Sequence, residues 1–511
     1  MPEPVRGGPP WRSRLTAAAI GVALVAPGAG ARLGSHAAVT ASPLTGPASP
    51  IQHVIEIMLE NHTFDNLFAH FPGAAGVPPG TTLPTVAATA VVPRFAGANQ
   101  GDVLGALDNS RGGELAAMDR GPGGYRMDGY TRHPTDGLAA ITLIPPGDDP
   151  VLQSLAAQYT LLDRNFQPAV APTQPNVLYA LAGTAQGWMV NTTPPAPLRW
   201  WSIFDQLTQH HRSWRIYYGV PSAVLQGSVW YRIIPPGTAG DITTTSRFLQ
   251  DLSRGRLPDF AFIRPGVGYS EEPPEDVEEG DLWLGQLVRA VAQSRYWRST
   301  AIFITYDEGG GFWDHVAPPI VTPFGYGTRT PMVVVSPFVR PGVVGTTTTN
   351  LSVLAFMAHL WGLPPLDALA ARQSDLAQVF DMSQHPLPPP RLPPIPLDTI
   401  DILGANTLAD PGPVAPGQPL RLHLHLNTAG LVQDPRGTGR VRLRLLPPAG
   451  VAVPPGFPRV VDLTRGGGAV TVRLAIAGYY RLLATGPLGS RGWLTLDIGV
   501  SPRTAPDGPA G

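Results

Sequence analysis

The stretch HVIEIMLENHTFDNLF, His53–Phe68, opens as a mostly apolar run and then turns abruptly onto a carboxylate and an amide, Glu60 and Asn61. Short apolar runs bounded by polar residues suit strands covered on both faces of a parallel sheet. The TFDNLFAHF that follows reads as a helix. A second run of the same kind, TAIFITY at Thr300–Tyr306, ends on Asp307 and Glu308 and then on glycines that let the backbone turn sharply. DLWLGQLVRAVAQSRYW (Asp281–Trp297) has helical spacing and stops just before that second strand. NLSVLAFMAHLWGL (Asn350–Leu363) has it too, with Asn350 as its N-cap. Strand, helix and strand in this order predict an α/β layer architecture.

Working outward, residues 1–50 form a leader and linker. Arg6, Arg12 and Arg14 precede the apolar LTAAAIGVALVAPG, and Ala29-Gly30-Ala31 supplies a small-x-small site, the layout of a secretory signal peptide. A membrane anchor is the alternative, but the run is short for one. The pair RSR gives no support to a twin-arginine route. The expected location is therefore secreted or extracytoplasmic, with no stable transmembrane span once the leader is removed. The α/β region takes 51–385, and the Pro-rich HPLPPPRLPPIPL begins a stiff linker over 386–400. From 401 to 501 the period changes to two, as in LRLHLHL and VRLRLL, which predicts a C-terminal antiparallel β-sandwich domain. Residues 502–511 read as a disordered tail.

Composition narrows the chemistry. The 511 residues carry a formal net charge of −1, so no basic field for nucleic acid exists. The sequence contains neither lysine nor cysteine. Schiff-base and thiolate catalysis, disulfides and Cys-ligated metal centres are excluded. Ligands of open α/β sheets bind beyond the carboxyl ends of the strands, where Glu60, Asn61, Asp307 and Glu308 are delivered. Three carboxylates gathered there repel one another unless a cation lies between them, and all-oxygen ligation suits a hard divalent ion such as Ca, Mg or another of that kind. The plainer alternative is that Asn61 caps a helix while Asp307 and Glu308 are solvated turn residues. In VAPTQPNVLYALAGTA, Pro172 and Pro175 bracket Thr173 in a rigid turn at a helix start, where unpaired N–H groups favour a phosphate. A threonine hydroxyl becomes a nucleophile only beside a base or a metal; otherwise Thr173 is an ordinary cap.

Taken together, HVIEIMLENHTFDNLF, APTQPNVLYALAGT, ITYDEGGGFWDHVAPP and GYGTRTPMVVVSPFVRPG resemble the bacterial phosphoesterase family of non-specific phospholipases C and secreted acid phosphatases. The resemblance implies an alkaline-phosphatase-like fold, a mostly parallel sheet sandwiched by helices, over about residues 51 to 385. It places one divalent metal ion on Glu60, Asn61, Asp307, Glu308 and Thr173, makes Thr173 the catalytic nucleophile, and gives catalytic His315 of GFWDH the phosphoryl or leaving group. Two departures stand out. Asn109 in LDNSRG and Glu272 in SEEPP occupy positions where the family commonly has histidine, and both are substrate-binding candidates. His210 and His211 are either their replacements in space or surface residues.

The expected function is metal-dependent hydrolysis of phosphodiesters, of phospholipase C type, through a phosphothreonine intermediate, with a phosphoester substrate or a phospholipid surface as partner. An ionised Glu272 repels a phosphate dianion more than a diester monoanion, which favours the diester. The alternatives are an acid phosphomonoesterase and a catalytically impaired secreted binding protein on the same scaffold.

Overall fold

The computed structural model describes residues 49–498 apart from 88, 96–106, 135, 193–198, 220–229, 267–268, 274, 276, 322–323, 395–398, 405–414, 429–431, 434–437, 449, 466 and 487–490. The expected signal peptide and C-terminal tail lie outside the described residues. Among the described residues no helix is long and apolar enough to cross a membrane.

Eight strands build the main sheet: β1 (His53–Leu59), β2 (Thr160–Leu162), β3 (Trp214–Tyr218), β4 (Ile242–Thr244), β5 (Phe260–Arg264), β6 (Thr300–Tyr306), β7 (Met332–Val335) and β8 (Gly342–Val344). Their order is β4-β3-β5-β1-β6-β7-β2-β8, and every neighbouring pair is parallel except those made by β7. The two runs that opened the sequence analysis are thus adjacent central strands. Val54 to Leu59 and all of β6 are buried, as strands covered on both faces must be. Leu59 lies opposite Tyr306, and Ile57 opposite both Ile263 and Ile304. That register brings Glu60, Asp307 and the last residue of β5, Arg264, to one edge.

The helices that matter for the site are α1 (Phe64–Phe68), α2 (Arg111–Met118), α3 (Pro150–Gln158), α4 (Thr173–Ala182), α5 (Val277–Ala292) and α6 (Leu351–Trp361). Leu155 of α3, Leu178 of α4, Leu287 of α5 and Phe356 of α6 share one core with the sheet. Helix α5 starts four residues before the expected Asp281, because Glu278 and Glu279 favour the positive first turn. Asp281 is spent elsewhere: its carboxylate accepts from the N–H groups of Val151 and Leu152, both at 2.8 Å, and so caps α3 from another helix. Asn350 stands at the start of α6 as expected, but its side chain makes no cap. It donates instead to the carbonyl oxygen of Tyr306 at 2.8 Å and fixes the end of β6.

The Pro-rich segment is strapped to the α/β region. Tyr159 Oη donates to the carbonyl oxygen of Pro388 at 2.7 Å, and the Arg391 N–H donates to Gln158 Oε1 at 2.9 Å. Beyond it lie β9 (Thr399–Gly404), β10 (Pro419–Thr428), β11 (Val432–Gln433), β12 (Gly439–Leu446), β13 (Arg459–Leu463), β14 (Gly467–Arg473), β15 (Gly478–Thr485) and β16 (Arg491–Ile498). The period of two is realised in β12, where Val441, Leu443 and Leu445 are buried and Arg440, Arg442 and Arg444 exposed. Pairing joins all eight in one sheet, antiparallel except between β9 and β16, around a separate core that includes Leu422, Leu443 and Leu482.

Candidate active site

The loop after β1 answers why a buried strand ends on Glu60 and Asn61. Helix α1 is capped by Thr63, whose hydroxyl accepts from the Asn66 N–H at 3.2 Å. Asn61 is therefore not the cap. It adopts left-handed φ of 68°, and its N–H donates to Asp307 Oδ1 at 3.3 Å. The same oxygen accepts from the Glu308 N–H at 2.8 Å. Gly310 is required here: at φ 64° a Cβ would lie 2.3 Å from the Asn61 carbonyl oxygen.

Arg264, only 2% exposed, links the two strand ends. Its guanidinium donates to Glu60 Oε1 and, at 3.5 Å, to Asp307 Oδ2. Thr173, the first residue of α4, lies beside Asp307 and favours its charged form. Burial pushes the Asp307 carboxyl up to about 6, against the lowering effect of Arg264 and Thr173. Glu272 shares a hydrogen bond with Glu60; burial first, then the Glu60 charge, raises it well above the carboxylate range. Burial and the Glu60 charge thus favour its neutral form and weaken the repulsion expected of an ionised Glu272.

On the other flank Asn109 Nδ2 donates to Glu308 Oε1 at 2.6 Å, and the Gly310 N–H donates to Glu308 Oε2 at 2.9 Å. Glu308 also meets Glu114 of α2, whose carboxyl is pushed up to about 8 by burial. Gln167 ties this side together, donating to Glu114 Oε2 at 2.9 Å and accepting from the Gly309 N–H at 3.0 Å. Glu308 is raised well above its ordinary range by burial, then by Glu114 and Asp307.

The tertiary structure thus gathers Glu60, Asn61, Asn109, Thr173, Glu272, Asp307 and Glu308. Two observations fit a divalent cation there. Asn61 Oδ1 is buried without a hydrogen-bond partner, and the carboxyl groups outnumber the guanidinium groups bonded to them. The donors available are oxygens, as a hard ion requires.

His315 belongs to an adjoining network. Its Nδ1 lies 2.7 Å from Asp65 Oδ2 and 3.3 Å from Arg329 Nη2. Buried Arg329 donates to Asp65 at 2.9 Å and to Asp314 at 2.8 Å. Asp65, Asp314 and His315 offer ligand atoms within 4.8 Å of one another, yet Arg329 already pairs with both carboxylates. His210 and His211 are exposed just before β3, at the strand-start edge away from Glu60, and replace nothing in the site.

Sequence reasoning missed Arg264, Glu114, Gln167, Asp65 and His62. For Arg264 a signal existed: FAFIR is a third apolar run, ending on a charge. His62 Nε2 lies 2.9 Å from the Glu271 carbonyl oxygen and its Nδ1 2.5 Å from Asn66 Oδ1, which pins the SEEPP loop beside β1.

Known proteins bear on this geometry. The sequence model of the Phosphoesterase family matches residues 51–364. The chain is 26% identical over 400 residues to the non-hemolytic phospholipase C of Burkholderia pseudomallei, covering 63% of this chain and 56% of that protein. It is 26% identical to phospholipase C B of Mycobacterium tuberculosis (68% and 81% covered) and 25% identical to non-specific phospholipase C3 of Arabidopsis thaliana (58% and 65% covered). Among solved structures, a Vibrio parahaemolyticus protein in the alkaline phosphatase superfamily aligns at 11% identity with a TM-score of 0.31, over 77% of this chain and 80% of that one, a likeness too slight to carry weight. With the match running from the start of β1 to just past α6, the chain belongs to the phosphoesterase family.

Proposed function

We propose that residues 51–385 form a hydrolase domain of alkaline-phosphatase-like fold that cleaves phosphodiesters of phospholipase C type outside the cytoplasm. In this reading 1–50 is leader and linker, 386–400 a linker, and 401–501 a β-rich sandwich-like domain. The observation that carries the reading is that Thr173, at the first position of a helix, is placed beside Asp307 at the end of β6, where its side chain favours the charged carboxylate. Glu60, Asn61, Asp307, Glu308 and Thr173 would hold the divalent ion. When bound, it supplies Lewis-acid stabilisation of charge on phosphoryl oxygens and on the attacking oxygen.

Asp307 aims Thr173 Oγ1 and offers its proton an acceptor. Attack forms the Thr173 Oγ1–P bond and breaks one ester P–O bond in line; water then cleaves Oγ1–P of the phosphothreonine, which still carries the second alcohol, releasing the phosphomonoester and restoring the hydroxyl. His315, oriented by Asp65, is the candidate proton donor to the leaving alcohol. Asn109, bonded to Glu308, borders the phosphoryl position. The names of the phospholipase C relatives support the lipid diester. A monoester is the second reading, supported by the burial of Glu272, which favours its neutral form and so weakens its repulsion of a dianion.

The test is an acid-quenched single turnover with a radiolabelled phosphodiester. A labelled phosphothreonine at 173 is expected, absent in Thr173→Ala along with turnover. Undiminished turnover in that variant removes Thr173 from the reaction.

A further inference from the structure

We propose that Arg264 is an internal counter-cation that competes with the divalent ion for Glu60 and Asp307, so that the site holds its metal loosely and stays assembled without it. The inference rests on the metal-dependent reading above and goes beyond it.

A guanidinium at the end of a central strand is costly to bury, and it is tolerated only beside ionised partners. Those partners are the two carboxylates that end the flanking strand β1 and the next strand β6. One positive group thus bonds across two strand termini that would otherwise repel each other. The third guanidinium nitrogen, Nε, is buried without a hydrogen-bond partner, so the charge is positioned by Glu60 and Asp307. Asp307 has little spare capacity. Its Oδ1 accepts from two backbone N–H groups and its Oδ2 from Arg264.

A divalent ion entering this site meets oxygens already partly neutralised, and a like charge fixed a few ångströms away in a water-poor setting. Its affinity is lower than the same oxygens would give alone. The other side of the balance is stability: with no ion bound, Arg264 keeps the ends of β1 and β6 together.

Calorimetric titration of metal-free wild type, Arg264→Gln and Arg264→Lys with manganese, magnesium and calcium chloride tests this. Arg264→Gln is expected to bind at least about tenfold more tightly, and Arg264→Lys within a few-fold of wild type. Metal is also expected to raise the melting temperature of Arg264→Gln more than that of wild type. If Arg264→Gln folds only when metal is supplied, the counter-cation role is supported; a variant that metal does not rescue overturns it. Equal or weaker binding by a folded Arg264→Gln overturns the proposal while leaving the metal reading intact. Binding by neither protein removes both.

Discussion

The N–H of Asn61 donates to Asp307 Oδ1 over 3.3 Å, joining residues 246 positions apart in the chain. This bond ties the loop after β1 to the end of β6, and Gly310 packs against the Asn61 backbone. Gly310→Ala adds a Cβ 2.7 Å from that of Asn61 and 2.3 Å from its carbonyl oxygen, at a φ that suits glycine. The expected cost is roughly 2–4 kcal/mol of stability with loss of turnover, read from thermal melts and a chromogenic diester assay. A melt within a degree of wild type would show that the loop has room to spare.

Asp65 and His315 act as a unit in the proposed reaction. Asp65→Asn and His315→Ala are each expected to lower diester turnover about a hundredfold, and the double variant no further than either alone. Multiplying effects in the double variant would separate the two residues. Asp65 also bonds Arg329, so circular dichroism of Asp65→Asn checks that the fold survives.

Glu56 is a carboxyl group in the middle of β1, fully buried, and burial raises it from 4.5 to about 8 against the weaker pull of Thr305 and Arg264. The folded protein therefore binds this proton more tightly than the unfolded chain. The stability it contributes is complete below about pH 4.5, declines as pH rises, and is gone above about pH 8. Glu56→Gln, neutral throughout, is expected to show a shallower loss between pH 5 and 8 and to be more stable than wild type at pH 8 by roughly 1–3 kcal/mol. Denaturant titrations at the two pH values decide it, and parallel curves would place the proton elsewhere.

Glu272→His puts at the position beside Glu60 the histidine that the family resemblance leads one to expect there. A histidine there, protonated beside the Glu60 carboxylate, adds a positive charge that attracts a dianion more than a monoanion and is expected to raise the monoester-to-diester turnover ratio several-fold. The ratio is measured with paired chromogenic substrates on one preparation, and an unchanged ratio means that position 272 does not face the phosphoryl group.

Much of this architecture was legible in the chain. The apolar runs at β1 and β6 mark central strands because a strand covered on both faces has no polar alternation to hide. A residue that follows such a strand is carried to the sheet edge, which is why Glu60, Asn61, Asp307 and Glu308 were found together. Cap assignments fared less well. Asn61 and Asn350 both look like helix caps in isolation, but the first is left to the site and the second holds the Tyr306 carbonyl. An amide side chain bonds whatever the fold brings within reach, and local sequence does not say what that is.

What the linear chain determined by itself was composition and periodicity: no lysine or cysteine, strands where hydrophobic runs break onto acids, and a threonine bracketed by prolines. Only the tertiary structure decided that Arg264 joins Glu60 to Asp307, that Glu114 and Gln167 support Glu308, and that His315 pairs with Asp65. These contacts depend on strand order and register, set by packing among elements tens to hundreds of residues apart, and periodicity along one segment holds no information about its neighbours.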